Sequence, residues 1–309
     1  MKHYLGIDVG SVSCNIVIIN DKGDVIEKVN IRTNGNPIRG LQEGLKLLKE
    51  KPDISGCATT GSARRLIGLL VGADIVKNEI TCHAIASLKA NPDVQTILEI
   101  GGQDSKIIIV RNRTVIDFAM NSVCAAGTGS FLDQQSGRLG IKIEEFGALS
   151  LKSKNSVRVA GKCTVFAESD MIHKQQIGCE KEDIIKGLCE ALVRNYLNDV
   201  GKGKDIREPV IFQGGVAANK GIKNAFEKAL NLKVEIPKHF EVMGAIGAAL
   251  IAQEGNIEKS KFKGYHIKNT EYKAASFECK DCANSCEVME LLENGKVVAR
   301  WDSKCGKWN

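Results

Sequence analysis

The chain has 309 residues, 43% of them hydrophobic and 26% charged. That excludes a disordered or low-complexity polymer and allows a large core divided between two lobes. The formal charge of +6 is scattered and aromatic residues make up only 5%, which argues against a base-stacking nucleic-acid platform. No run approaches the roughly 20 apolar residues of a membrane span, and no apolar leader precedes the first strand. A soluble cytoplasmic protein, with a mild preference for an acidic partner, is the expectation.

The first elements are an apolar strand ending Leu5-Gly6-Ile7-Asp8, a turn at Gly10-Ser11-Val12-Ser13, a β-branched strand over 16–19, a turn at 21–23 and a third strand. Helical material follows at 37–51. A similar series returns about 93 residues later: Leu98-Glu99-Ile100, a turn at Gly101-Gly102-Gln103-Asp104, strands over 107–110 and 115–117, then a helix over 129–140. The chain thus carries a duplicated βββα unit, present only twice. Glycine at a hairpin tip lets backbone N–H groups approach phosphate, and hydroxyls add donors. Asp8 and Asp104 are placed to hold magnesium, directly or through water. Two such hairpins facing each other would clamp a triphosphate.

Between the repeats, Glu79 stands in Asn78-Glu79-Ile80-Thr81-Cys82-His83, a segment of unassigned role in which His83 reads as structural. Cys124 (in Asn121-Ser122-Val123-Cys124-Ala125-Ala126-Gly127-Thr128-Gly129) and Cys163 (in Ala160-Gly161-Lys162-Cys163-Thr164-Val165-Phe166-Ala167-Glu168-Ser169-Asp170) each stand where a helix is expected to begin. A helix N-terminus favours an anionic centre. Buried thiols, a catalytic cysteine, and two of four ligands to a cluster shared across a two-fold dimer are all compatible with these residues. Cys14, Cys57, Cys82, Cys179 and Cys189 read as small core residues.

A strand over 210–212 leads into Gly214-Gly215 and Asn219, then a helix through 224–230. A bare diglycine turn at a helix start lets a ligand lie against the backbone. The helix from Met243 to Leu250 has a small-residue face suited to close packing. No Walker A pattern occurs.

These motifs in this order resemble the activators of 2-hydroxyacyl-CoA dehydratases, together with the ATPase subunits of benzoyl-CoA reductase and the ATP-dependent reductases of double-cubane-cluster proteins. The resemblance runs from about Leu5 to Leu250. It implies the actin/heat-shock-chaperone/sugar-kinase fold, an α/β architecture of two duplicated ribonuclease-H-like lobes. The expected boundaries are 1–96 for lobe I, completed by a closing helix at 241–255, and 97–240 for lobe II. It implies ATP or ADP bound by Gly10, Ser11, Val12, Ser13, Gly101, Gly102 and Gln103, with adenosine on Gly214, Gly215 and Asn219. Asp8 and Asp104 position magnesium and the attacking water. Cys124 and Cys163 ligate one [4Fe–4S] cluster per homodimer, fed by ferredoxin or flavodoxin and passing an electron to an iron–sulfur partner. Relatives often carry Gly-Ser-Thr and a lysine in the first hairpin, where this chain has Val12 and Asn15. A small-molecule kinase on the same fold and a non-redox sensor ATPase are the rival readings.

Residues 256–309 comprise a polar linker and a module with Cys279, Cys282, Cys286 and Cys305. Apolar strands flank Asn294-Gly295, a strong hairpin signal. Four thiols in so short a segment suit zinc or a second cluster, with zinc preferred because a closed knuckle needs no redox task.

Overall fold

The computed structural model describes residues 1–121, 123–155, 157–161, 163–267 and 272–308. Ser122 and Lys162, inside the two cysteine motifs, and Lys268, at the end of the expected linker, lie outside them. The chain forms two compact units, residues 1–79 with 244–309, and residues 80–243.

In the first unit, β1 (Tyr4–Val9), β2 (Ser13–Ile19) and β3 (Val25–Arg32) form an antiparallel meander. α1 (Pro37–Leu47) follows, started by Asn36, whose side chain accepts from the Arg39 amide, and by proline at its first position. β4 (Gly56–Thr60) lies parallel to β1, α2 (Arg64–Val71) packs beneath, and β5 (Ile75–Val76) extends the sheet. The order is β3-β2-β1-β4-β5.

The second unit begins along α3 (Glu79–Ala90) and repeats the plan. β6 (Thr96–Ile100), β7 (Ser105–Arg111) and β8 (Thr114–Asn121) make the meander. Helices α4 (Gly129–Leu139), α5 (Ile143–Ser150), α6 (Thr164–Gln176) and α7 (Lys181–Tyr196) follow. β9 (Val210–Gln213) runs parallel to β6, α8 (Lys220–Leu230) packs on it, and β10 (Val234–Glu235) closes the order β10-β9-β6-β7-β8. Read from the meander edge, the two sheets have one topology. The repeat therefore includes two parallel strands per unit that sequence inspection did not pair. The core of this unit centres on Phe131, Phe146, Tyr196, Phe212 and Phe226, the last three in edge-to-face contact at 5.2 Å.

α9 (Met243–Glu254) then returns to the first unit. A side chain at Gly6 of β1 would overlap the Ala245 carbonyl oxygen and lie 2.9 Å from the Ala249 methyl, so the small residues of α9 let helix and strand backbones touch. The expected polar linker is in fact docked. Asp74 takes hydrogen bonds from the Ser260 hydroxyl and the Lys261 amide, both at 2.7 Å, and Phe262 and Tyr265 pack on the core. β11 (Tyr272–Glu278), β12 (Glu287–Glu293) and β13 (Lys296–Trp301) form a separate antiparallel sheet, one strand more than the expected hairpin. Leu291, Ala299 and Trp301 rest on the first unit's core. Among the described residues no helix is long and apolar enough to cross a membrane.

Candidate nucleotide and cysteine sites

The turns joining β1 to β2 and β6 to β7 are built alike. Gly10 N–H donates to the Ser13 carbonyl and Gly101 N–H to the Asp104 carbonyl, each at 3.0 Å. Superposing the two turns sets the repeat at 91 positions rather than 93. Asp8 and Glu99 then become counterparts, as do Asn15 and Lys106, because Asp8 pairs with Asn15 across the first hairpin and Glu99 with Lys106 across the second. The picture of one aspartate at each tip is corrected accordingly. Asp104 lies in its turn, but Asp8 lies within β1.

Each site is held by short contacts. Thr33 Oγ1 donates to the Ser11 carbonyl at 2.9 Å, which anchors the first turn. Asn15 is buried and accepts from Asn30 Nδ2 at 2.7 Å. The loop after β4 meets Asp8 at Gly61, whose φ of 89° and lack of a Cβ bring its backbone against the carboxylate. In the second unit Lys106 is buried between two carboxylates, 3.0 Å from Glu99 Oε2 and 2.9 Å from Asp104 Oδ2. Neither Glu99 nor Lys106 was singled out by sequence reading. The alternation of a charged residue among apolar ones in a buried strand was the available signal.

The diglycine turn opens a short 3-10 segment, Gly215–Ala218, and α8 begins at Lys220 rather than near Asn224. Asn219 is its cap, accepting from the Gly221 and Ile222 amides at 2.9 and 3.1 Å. Gly214 has φ 88°, and a Cβ there would strike the Ile100 carbonyl oxygen and approach Glu99 Oε1 at 2.8 Å. The second and third glycine turns are therefore neighbours around Glu99, leaving Gly215 exposed.

His83 is buried against Gln213, its Nδ1 2.9 Å from the amide nitrogen. Burial, and to a lesser degree the nearby Lys106 charge, lower its pKa to about 3. It is a neutral core histidine. Glu79 lies 3.7 Å from Arg64.

Cys163 is the cap residue of α6, as expected, whereas Cys124 precedes a 3-10 turn, Ala125–Gly127, and α4 starts only at Gly129. Both cysteines are half-buried and neither is in a disulfide. Two side chains tie their segments together. Asn195, near the end of α7, donates to the Ala126 carbonyl at 3.3 Å, and its Oδ1 lies 3.2 Å from where a Cβ on Gly161 would stand. Glu168 on α6 accepts from Gln134 at 3.0 Å and pairs with Arg138 at 2.6 Å, both on α4. Asp170 accepts from the Ala160 amide at 2.8 Å, steadying the approach to Cys163. Val123, Val165 and Phe166, next to the cysteines, are 97%, 64% and 67% exposed. The second glycine turn also reaches this region, since Gly129 N–H donates to the Gly101 carbonyl at 2.9 Å and Ser130 N–H to that of Gly102 at 2.8 Å.

Of the five cysteines read as core, Cys14, Cys57, Cys82 and Cys189 are buried and Cys179 is half-buried. In the C-terminal module Cys279 is buried, Cys286 half-buried, and Cys282 and Cys305 exposed. Among the described residues no three His, Cys, Asp or Glu side chains already enclose a metal position.

The model of the BadF/BadG/BcrA/BcrD ATPase family matches residues 5–252. The (R)-2-hydroxyglutaryl-CoA dehydratase activating ATPase of Acidaminococcus fermentans is 37% identical over 258 residues, covering 81% of this chain and 96% of that protein. The solved structure of the activator of 2-hydroxyisocaproyl-CoA dehydratase from Clostridium difficile with bound ADPNP is 32% identical, with a TM-score of 0.74 over 82% of this chain and 95% of that one. A ROK family glucokinase from Streptomyces griseus, 13% identical with a TM-score of 0.52 over 82% of this chain and all of that one, shares the fold alone. With its two like-built five-stranded sheets, the chain has the actin-like ATPase fold and belongs to the BadF/BadG/BcrA/BcrD ATPase family.

Proposed function

We propose that this ATPase is the electron donor of a two-component system, coupling ATP hydrolysis to the delivery of single low-potential electrons to an iron–sulfur dehydratase, a reductase or a double-cubane-cluster protein. It works as a homodimer and is recharged by ferredoxin or flavodoxin. ATP and magnesium are held by Asp8, the 10–13 turn, the 101–104 turn, Gly214, Gly215 and Asn219. The observation that carries the reading is the convergence of the two cysteine segments on Asn195 and Glu168.

The residues at that place fit a [4Fe–4S] cluster shared between two copies. Cys124 and Cys163 are accessible, free of disulfides and flanked by backbone amides at helical starts, and two copies supply the four thiolates such a cluster needs. Val123, Val165 and Phe166 surround them with apolar surface that a second subunit can cover. The cluster, when bound, supplies a one-electron carrier. The protein's part is to orient the thiolates and exclude water. Through Gly129 and Ser130, which hydrogen-bond the Gly101 and Gly102 carbonyls, it also ties that face to the phosphate turn. Two nucleotide states then favour two arrangements of the cysteine loops, as coupling requires.

Anaerobic purification with iron and sulfide analysis tests this. Four irons per dimer, lost in Cys124→Ala or Cys163→Ala, and ATP-dependent reduction of an acceptor protein are expected. A colourless dimer that reconstitutes no iron would sink the electron-donor reading and leave a plain ATPase.

A further inference from the structure

The four C-terminal cysteines lie beyond residues 5–252, the part of the chain that the family accounts for. β11 and β12 end with Glu278 opposite Glu287, and the ladder continues one pair further, where Cys279 N–H donates to the Cys286 carbonyl at 2.8 Å. The two cysteines therefore face each other across the mouth of the 279–286 loop, about 5 Å apart at Cα for an antiparallel pair. Cys282 sits within the loop, where its carbonyl accepts from the Ser285 amide at 3.2 Å and Asn284 Nδ2 lies 3.7 Å from its sulfur. Cys305 arrives from the other side, in a turn after β13 closed by Gly306 N–H to the Ser303 carbonyl at 3.2 Å. That turn is fastened to the loop twice, by Trp308 Nε1 donating to Cys279 Sγ at 3.4 Å and by Lys307 Nζ, 2.6 Å from Asp281 Oδ2. The four cysteines thus lie towards one end of the sheet, opposite the 294–295 turn, although no three of the described ligand side chains surround one point before a metal binds.

This end is held mainly by surface contacts: Phe277 meets Trp308 edge-to-face at 5.3 Å, Arg300 lies over both rings, and Asp302 pairs with Arg65. Leu291, Ala299 and Trp301 anchor the sheet on the first unit's core. Towards the cysteines β11 buries no residue, and beyond Cys279 itself the buried apolar contribution is Val288. A sheet this small usually needs a staple where its core runs out. An indole N–H and an amide N–H aimed at sulfur are the donors that thiolate ligands take up. Asp281, paired with Lys307, accepts from Cys279 Sγ at 3.4 Å, so the carboxylate orients that thiol and the lysine balances the carboxylate.

We infer that Cys279, Cys282, Cys286 and Cys305 bind one zinc ion as a closed tetrathiolate that locks the 279–286 loop to the 302–308 segment. Cys279 and Cys286 supply a pre-set pair across the ladder, and the exposed Cys282 and Cys305 close onto the ion. Four thiols lose their protons as four Zn–S bonds form, each about 2.3 Å long. A closed four-thiolate site at the end of a small sheet has a structural task and needs no redox one, which favours zinc over a second cluster.

The test is metal analysis of the full-length protein, purified anaerobically without chelator, alongside Cys282→Ser, Cys305→Ser and the Cys124→Ala/Cys163→Ala double variant. One zinc per chain is expected, retained in the Cys124/Cys163 variant and reduced at least tenfold in the Cys282 and Cys305 variants. Should those serine variants fail to fold, the wild-type protein grown with cobalt must show the visible bands of tetrahedral cobalt thiolate. Iron and sulfide that survive the Cys124→Ala/Cys163→Ala change but vanish with Cys282→Ser would overturn the inference in favour of a second cluster. A protein with no metal and two disulfides would overturn it as well. Zinc in a protein that binds no iron would support the inference while defeating the electron-donor reading, so the two stand or fall separately.

Discussion

Glu99 occupies in the second sheet the place that Asp8 occupies in the first, two residues ahead of a four-residue turn and paired across its hairpin with the counterpart residue, Lys106 in one case and Asn15 in the other. The two carboxylates have diverged in environment. Glu99 is 4% exposed and compensated by the equally buried Lys106, whereas Asp8 lies half-buried beside the Gly61 loop. The two hairpins are thus unlike in charge, the second carrying a buried Glu99–Lys106 pair that also reaches Asp104.

Lys106→Met should be strongly destabilising, because it strands the Glu99 carboxylate without its cation. Removing one partner of a buried pair costs about 3–5 kcal/mol. Glu99→Gln in the same chain should recover much of the loss. Urea unfolding of the single and double variants measures both values. Equal stability for Lys106→Met and the wild type would contradict a stabilising role for this pair.

A methyl group at position 129 would stand 2.9 Å from the Gly101 carbonyl oxygen and 3.1 Å from a Val216 methyl. Gly129→Ala therefore pushes on the second and third glycine turns together. Overpacking of this size costs about 1–3 kcal/mol, and the strain falls on the loops proposed to bind nucleotide. Nucleotide affinity, read by isothermal titration, should drop about tenfold or more while the far-ultraviolet dichroism stays unchanged.

Asn195 joins the cysteine segments, so Asn195→Ala should loosen them. It leaves the buried Ala126 carbonyl without its donor, a cost of about 1–3 kcal/mol. Under the proposed function the visible chromophore should bleach several-fold faster in air than in the wild type, with steady-state ATP hydrolysis less affected. Identical bleaching rates would remove Asn195 from the account of that site.

The neutral His83 links stability to acid. Its pKa is lowered in the folded chain to about 3 from an ordinary value of 6.5, so the unfolded state binds the proton more readily. Its contribution is complete above pH 6.5 and is lost progressively as pH falls from there towards 3, at up to about 1.4 kcal/mol per pH unit. His83→Gln, which can keep a hydrogen bond to Gln213, should flatten that part of the stability profile. Denaturant midpoints of both proteins between pH 7 and 4 give the difference directly.

Much of this molecule could be read from short windows of sequence. The β-branched runs of 16–19 and 107–110, the glycine turns between strands, the Asn294-Gly295 hairpin and the small-residue helix of 243–250 are local signals, set by steric limits and by periodicities of two and 3.6. The order of those motifs also sufficed to name the fold and the family. Other features depend on partners far away in the chain. The 91-residue register emerged only when the Gly10 and Gly101 turns were seen closing onto Ser13 and Asp104. The parallel strands β4, β5, β9 and β10 find their neighbours across long crossovers that no window spans. Asn195 and Glu168 look like ordinary helix-surface polar residues until folding brings them against Ala126 and Arg138, 69 and 30 positions away. The 256–267 segment read as linker because its composition is polar, yet Asp74 supplies the acceptors that pin it down. Local chemistry determined which elements form. Long-range hydrogen bonds and buried charge decided which of their side chains meet.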